Sequence, residues 1–182
     1  LGFHCAEVLA DLHGADLEEI GLGDLGRRED YVGRQLRRWK KQWDAHHQRE
    51  IPNMDRAFEV LIDSLPDQRH TAVVHGDYRL GNILATPEGR VAAVLDWELC
   101  TLGDPLADLG YLLNTWSHEG EEGAEGVGEA PTMIGGFPSR DELVERYAIR
   151  TGFDPSGIEW YRAFQYWRLG AIVEGVYARY VL

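Results

Sequence analysis

The chain has 182 residues, of which 44% are hydrophobic and 27% are charged, and its formal net charge is −13. This composition fits one domain, or one large lobe of a bigger domain, with a packed core. The negative charge argues against nucleic acid, whose phosphates need basic surface, and no stretch approaches the roughly 20 apolar residues of a membrane helix. We therefore expect a cytoplasmic protein, with Cys5 and Cys100 as free thiols.

Three helices are predicted in the first 65 residues, because apolar residues recur there at steps of three and four. In the second helix, Leu36, Trp39 and Trp43 share one face at this spacing. The predicted helices cover about residues 3–13, 29–46 and 52–65. Their apolar faces are expected to pack in a common core.

Residues 21–26 read G-x-G-x-x-G, a pattern found in phosphate-binding loops. Such a loop is expected to follow a β-strand, whereas this segment lies between two predicted helices and before any predicted strand. We therefore interpret residues 21–26 as a connecting loop.

Short strands are predicted where the helical period gives way to runs of apolar and β-branched residues. These strands cover residues 72–74, 83–85 and 91–95. Between the last two, Pro87 and Gly89 occupy the second and fourth positions of a tight turn, which predicts a β-hairpin. The hairpin brings Asn82, at its entrance, close to Asp96, just past its exit.

Helices are predicted again after the hairpin. Asp104 suits an N-cap position, and Pro105 suits the first helical position, where its missing N–H costs nothing. The stretch 119–136 is acidic, rich in glycine and aperiodic, so a mobile loop is predicted there.

Two further helices are predicted near the end of the chain. Ser139 and Glu142 form a capping-box pattern that starts one of them, and Gly152 ends it. The other covers about residues 158–180 and is dense in aromatic side chains, which we expect to be mostly core.

The chemistry-bearing residues gather around the mouth of the hairpin. His75 and Asp77 follow a buried strand, and Asn82 and Asp96 flank the hairpin. Phosphoryl transfer needs a carboxylate that orients the attacking hydroxyl and accepts its proton, and hard oxygen ligands for magnesium. Two carboxylates and an amide oxygen meet that need.

The pattern H-G-D-x-x-x-x-N at residues 75–82, followed by V-L-D-W-E at 94–98, resembles the catalytic loop and metal segment of the aminoglycoside phosphotransferase and choline-kinase-like family. Residues 95–116 most closely resemble phosphotransferase-like domains found alone in bacteria or fused to acyl-CoA dehydrogenases. The resemblance extends over essentially the whole chain, including L-A-D-L-H at 9–13. It implies an α+β, mostly α, protein-kinase-like fold, with a short catalytic hairpin surrounded by helices.

By position, the resemblance implies that Asp77 is the catalytic base and that Asn82 and Asp96 bind Mg²⁺ beside ATP, the co-substrate. Arg79 stands where protein kinases keep a lysine that touches the transferred phosphate, and its planar fork suits the same role. The acceptor is expected to be a hydroxyl of a small molecule, either a hydroxyacyl metabolite or an aminoglycoside-like compound.

The resemblance also implies three supporting residues. His75 is expected to be a buried brace for the catalytic loop. Asp104 and Asp108 are expected to cap the following helix and tie it to that loop.

Residues 1–182 are interpreted as the C-terminal lobe of such a kinase. The strand-rich lobe, with its glycine-rich loop and strand lysine, is missing from this sequence, and Lys40 and Lys41 lie in a helical run. The chain alone is therefore expected to be almost inactive. The surface facing the missing lobe is expected to be apolar and to favour self-association.

Two other functions remain open at this stage. One is a non-catalytic binding or scaffold module with a kinase fold, which the absent lysine favours and the intact Asp77, Asn82 and Asp96 oppose. The other is a metal-dependent hydrolase that also uses Asp104 and Asp108, which are better explained as helix-start residues.

Overall fold

Helices surround two small antiparallel sheets in the computed structural model, which describes residues 1–117 and 131–181. The helices are α1 (Gly2–Gly14), α2 (Tyr31–His46), α3 (Pro52–Asp63), α4 (Leu106–Asn114), α5 (Arg140–Thr151) and α6 (Ile158–Val181). The strands are β1 (Ala72–Val74), β2 (Ile83–Ala85), β3 (Val91–Val94) and β4 (Thr101–Gly103). The predicted α+β, mostly α, fold is confirmed.

The predicted hairpin is present, with β2 and β3 antiparallel and Ile83 opposite Val94. The second sheet consists of β1 and β4, which pair antiparallel. Only β1 was predicted from the sequence. Gly103 in β4 lies against the ring of Tyr31, where an added Cβ would come within 2.5 Å of that ring. A close backbone approach of this kind requires glycine.

The core lies between the helices and is continuous with β1. Helix α1 packs against α5, while α4 and α2 both pack against α6. Large side chains with less than 2% exposure include Leu9, Leu36, Leu109, Leu112 and Trp116. Among the aromatic residues of α6, Tyr161, Phe164 and Trp167 are buried and belong to this core, whereas Tyr166 is exposed.

The start of α4 differs by one residue from the prediction. The helix begins at Leu106, and the carboxylate of Asp104 accepts a hydrogen bond from the Leu106 N–H at 3.1 Å. Asp104 therefore satisfies an N-terminal amide of α4 as a capping residue does, but it stands one residue before the N-cap position, which Pro105 occupies.

The predicted mobile loop, residues 119–136, falls largely outside the described residues. Pro131–Ile134 form a short 3₁₀ helix. Thr132 is buried there, and its hydroxyl bonds to both the N–H and the carbonyl of Ser117. Within residues 1–117 and 131–181, no helix is long and apolar enough to cross a membrane.

The capping box of α5 is confirmed. The Ser139 hydroxyl accepts a hydrogen bond from the Glu142 N–H at 3.2 Å, and the Glu142 carboxylate accepts one from the Ser139 N–H at 2.7 Å. Gly152 ends the helix in the left-handed conformation, with φ 73°. Both ends of α5 are thus fixed by local sequence.

Ser139→Ala is expected to lower the free energy of unfolding by about 1 kcal/mol, because it removes an acceptor for an end amide of α5. Urea unfolding followed by circular dichroism measures the change. Glu142→Gln retains a side-chain acceptor and is expected to cost less. Equal losses for the two substitutions would contradict the capping explanation.

Candidate active site

The site is built on the tight turn that follows β1, residues 75–77. Gly76 has φ 84°, and a Cβ there would lie 2.9 Å from the Cβ of Leu99, so the turn needs glycine at this position. The buried Asp108 carboxylate accepts hydrogen bonds from the N–H of His75 at 2.6 Å and of Gly76 at 2.9 Å. The first turn of α4 therefore holds the backbone of the turn, as expected for Asp108.

His75 joins this turn to the segment after β3. Its Nδ1 accepts a hydrogen bond from the Asp77 N–H at 3.2 Å, so the other ring nitrogen, Nε2, carries the proton that is donated to the Leu95 carbonyl at 2.9 Å. The ring is fully buried, and Trp97 packs on it with ring centroids 4.8 Å apart. These contacts agree with the bracing role expected for His75.

Asp77 and Asn82 are in direct contact. The side-chain amide nitrogen of Asn82 donates to the Asp77 carboxylate at 2.7 Å and to the Asp77 carbonyl at 2.9 Å. Nε of Arg79 lies 3.4 Å from the same carboxylate oxygen. The Asp77 carboxylate is therefore oriented by donors on its own loop, and its side chain keeps 21% exposure.

Asp96 is brought to the same place by the hairpin. The Leu95 N–H donates to the Asn82 carbonyl at 2.8 Å, which extends the β2–β3 pairing to the mouth of the hairpin. Asp96 follows with an exposed side chain and φ 65°, a left-handed conformation that non-glycine residues adopt at a cost. Two predicted ligands, Asn82 and Asp96, thus flank one hairpin end.

Tyr111 reaches the site from α4 and was not singled out in the sequence. Burial, followed by the nearby Asp77 carboxylate, raises the pKa of Tyr111 to about 12. The hydroxyl therefore stays protonated. The sequence carries no motif that marks this tyrosine.

Arg168 reaches the site from α6 and was also missed. Its Nη2 donates to the Gly76 carbonyl at 3.1 Å, and its Nη1 donates to the Gln165 side chain at 3.0 Å. The guanidinium lies between aromatic rings, 5.8 Å from the Trp39 centroid and 5.9 Å from the Tyr111 centroid. Arg168 is 92 residues from Gly76 along the chain, a separation that no local pattern bridges.

The Asp104 carboxylate bonds to the start of α4 and to α6. It is 2% exposed, and the Tyr161 hydroxyl donates to it at 2.7 Å, which fastens α4 to α6. Burial raises the pKa of Asp104, and the hydrogen bond from Tyr161 opposes that rise. These bonds stabilise the helix that carries Asp108.

The hydrolase alternative finds no support in this arrangement. Asp104 and Asp108 are buried, and their carboxylate oxygens accept structural hydrogen bonds. In the described part of the chain, no three His, Cys, Asp or Glu side chains are placed to hold a metal ion. A metal here would need the Asn82 oxygen and ligands from a bound molecule.

Comparison with known proteins identifies the family. The model of the phosphotransferase enzyme family matches residues 1–163. The chain belongs to this family. Its kinase-like phosphotransferase character follows from that membership, in agreement with the resemblance seen in the catalytic segments.

Individual relatives agree with the family. The chain is 38% identical over 176 residues to mouse acyl-CoA dehydrogenase family member 10, covering 95% of the chain and 16% of that protein. Its fold matches the structure of a presumed aminoglycoside phosphotransferase from Ralstonia eutropha with a TM-score of 0.84 and 37% identity, covering 98% of the chain and 55% of that structure. It also matches aminoglycoside phosphotransferase APH(3'')-Id from Streptomyces rimosus, in complex with ADP and streptomycin, with a TM-score of 0.56 and 18% identity, covering 91% and 62% of the two chains.

The chain thus spans about half of the Ralstonia protein and less than a fifth of the mouse protein. The likeness to the Streptomyces enzyme concerns the fold alone.

Proposed function

We propose that this chain is the C-terminal lobe of an ATP-dependent kinase that moves the γ-phosphate to a hydroxyl of a small molecule. The observation that carries the proposal is the pair of contacts made by Asn82. Its side chain bonds to the Asp77 carboxylate, and its backbone carbonyl accepts from Leu95, next to Asp96. The two segments that phosphoryl transfer requires are therefore joined at one point.

The donor atoms suit magnesium. The Asn82 side chain donates its hydrogen bonds to Asp77 through the amide nitrogen, which leaves the hard amide oxygen for a metal. The exposed Asp96 carboxylate adds a second hard ligand, and Mg²⁺ characteristically combines one or two such groups with nucleotide phosphates. When bound, Mg²⁺ would neutralise charge on those phosphates.

The residues of this chain would act on the acceptor. In the proposed reaction, Asp77 orients the acceptor hydroxyl and accepts its proton as the oxygen bonds to the γ-phosphorus, while the bond to the ADP oxygen breaks. Asn82 holds the Asp77 carboxylate in place. The fold of the Streptomyces enzyme, which was solved with ADP, supports nucleotide as the phosphate donor.

For the acceptor, we favour a hydroxyacyl metabolite over an aminoglycoside-like compound. The mouse relative is an acyl-CoA dehydrogenase family member, and it is similar over nearly the whole chain. The solved complex with streptomycin is far less similar and shares the fold only. Both acceptor classes belong in the same assay.

Arg79 is proposed to contact the transferred phosphate. It lies beside Asp77, and its side chain is 44% exposed, so a bound phosphate could reach it from solvent. Arg79→Ala is expected to lower kcat roughly 10- to 100-fold, because it removes a cationic donor from the transition state. Arg27→Ala, at an exposed arginine in the loop before α2, is the control, and an unchanged kcat in Arg79→Ala would remove this role.

A second lobe is proposed to cover the mouth of the hairpin. Leu84, Leu95, Trp97 and Leu99 are between 42% and 55% exposed there, a cluster of apolar side chains that a partner would bury. Without that partner, we expect the chain to self-associate through these residues. Sedimentation of the parent chain against Leu84→Glu measures this, and a monomeric parent at high concentration would count against it.

The decisive experiment is calorimetric titration of magnesium-ATP into the chain. Saturable binding that Asp96→Ala abolishes and Asp67→Ala preserves would support the phosphate site. Turnover is then measured after fusing the chain to the part of the Ralstonia protein that the match leaves uncovered, which we expect to hold the strand-rich lobe. We call this fusion the two-lobe protein.

The outcomes separate the kinase from its main alternative. Phosphate transfer by the two-lobe protein to either acceptor class, lost on removal of magnesium, would support the kinase. Folded protein with no nucleotide binding and no transfer would contradict the kinase and favour a non-catalytic scaffold module.

A further inference from the structure

Two helices outside the catalytic segments contact the turn that bears Asp77. Asp108 of α4 accepts from the N–H groups of His75 and Gly76, and Arg168 of α6 donates to the carbonyl of Gly76, the residue before Asp77. Resting on the proposed function, we propose that Arg168 is a positioning residue that aims the Asp77 carboxylate at the acceptor hydroxyl.

The peptide bond between Gly76 and Asp77 is held at both ends. Its N–H donates to Nδ1 of His75 at 3.2 Å, and its carbonyl accepts from Arg168 at 3.1 Å. The Asp108 carboxylate fixes the two preceding N–H groups. The orientation of this peptide plane sets the direction in which the Asp77 side chain leaves the backbone. Asp108 and His75 bond to N–H groups of the turn, and Arg168 bonds to its carbonyl at Gly76.

In residues 1–117 and 131–181, Arg168 pairs with no carboxylate, and its Nε is buried without a hydrogen-bond partner. A half-buried charge without a carboxylate costs stability, and the contacts of the guanidinium with the rings of Trp39 and Tyr111 offset part of that cost. The hydrogen bond to the Gly76 carbonyl is the contact that links this arginine to the catalytic turn.

The test uses Arg168→Gln, with Arg179→Gln as a matched control at an exposed position near the end of α6. In the two-lobe protein, Arg168→Gln is expected to lower kcat about 10-fold while the KM for magnesium-ATP changes less than about twofold. Arg168→Lys keeps a donor and is expected to retain more activity than Arg168→Gln. The control is expected to match the parent.

A spectroscopic measurement on the 182-residue chain needs no substrate. In triple-resonance NMR spectra, Arg168→Gln is expected to move the Gly76 carbonyl-carbon signal upfield, because hydrogen bonding deshields that carbon.

An unchanged Gly76 signal in Arg168→Gln would overturn the positioning role, as would a kcat within twofold of an active parent. A parent that shows no transfer would instead overturn the proposed function. The spectra would then still decide whether Arg168 holds the turn.

Discussion

Asp77→Asn is expected to lower kcat of the two-lobe protein by about 10³-fold and to leave the KM for magnesium-ATP within about threefold of the parent. The asparagine oxygen can still accept the hydrogen bond from Asn82 that the Asp77 carboxylate accepts at 2.7 Å. The turn should therefore keep its shape. What disappears is the negative charge that orients the acceptor hydroxyl and the site that takes its proton.

Initial rates in an assay coupled to ADP production measure this effect, with direct detection of the phosphorylated acceptor. Asp67→Asn is the control, since Asp67 is exposed in the segment before β1. A kcat for Asp77→Asn within tenfold of the parent would mean that Asp77 is not the base. A large rise in KM with little loss of kcat would instead assign Asp77 to nucleotide binding.

The catalytic hairpin could be predicted from the sequence because its contacts are local. Asp77, Asn82 and Asp96 lie within 75–96, and one tight turn fixes how the two strands pair. A residue pattern of this length therefore nearly determines the geometry. The helix ends at Ser139 and Gly152 were predictable for the same reason, since each is set by groups within one helical turn.

The features that the sequence did not reveal depend on distant contacts. Asp104 has the residue type and spacing of a helix cap, and only the structure shows that its second partner is Tyr161, 57 residues further on. Strand β4 has three residues and ends in Gly103, too short for a pattern, and it exists because β1 and Tyr31 lie beside it. Tertiary packing therefore assigned roles that local propensity could not.

Tyr111 and Arg168 show the same limit within the site. Tyr111 occupies one position of an apolar helix, where a tyrosine normally indicates core. Arg168 lies in the aromatic helix α6, where a cation suggests a solvated face. The packing of α4 against α6 brings Arg168 to the Gly76 carbonyl and places its guanidinium 5.9 Å from the centroid of the Tyr111 ring. Their position in the fold, rather than their residue type, places these two side chains at the site.

Asp108→Ala is expected to reduce the free energy of unfolding by about 3–5 kcal/mol, the largest stability loss we predict. The carboxylate accepts from two buried N–H groups, those of His75 and Gly76, and lies 3.4 Å from Nε2 of the buried His13. Truncation leaves these buried donors without their acceptor, and each such donor costs about 1–3 kcal/mol. Asp108→Asn keeps one oxygen but sets an amide against a donor, so we expect a loss of similar size.

Urea unfolding of the chain, followed by tryptophan fluorescence, measures this loss, with Asp67→Ala expected to stay within about 0.5 kcal/mol of the parent. Because Asp108 bonds to the backbone of residues 75 and 76, its loss should also free the turn that carries Asp77. Hydrogen exchange at the His75 and Gly76 amides should then rise more than exchange in α5. A loss below about 1 kcal/mol, with those amides still protected, would mean that His75 and Arg168 hold the turn without Asp108.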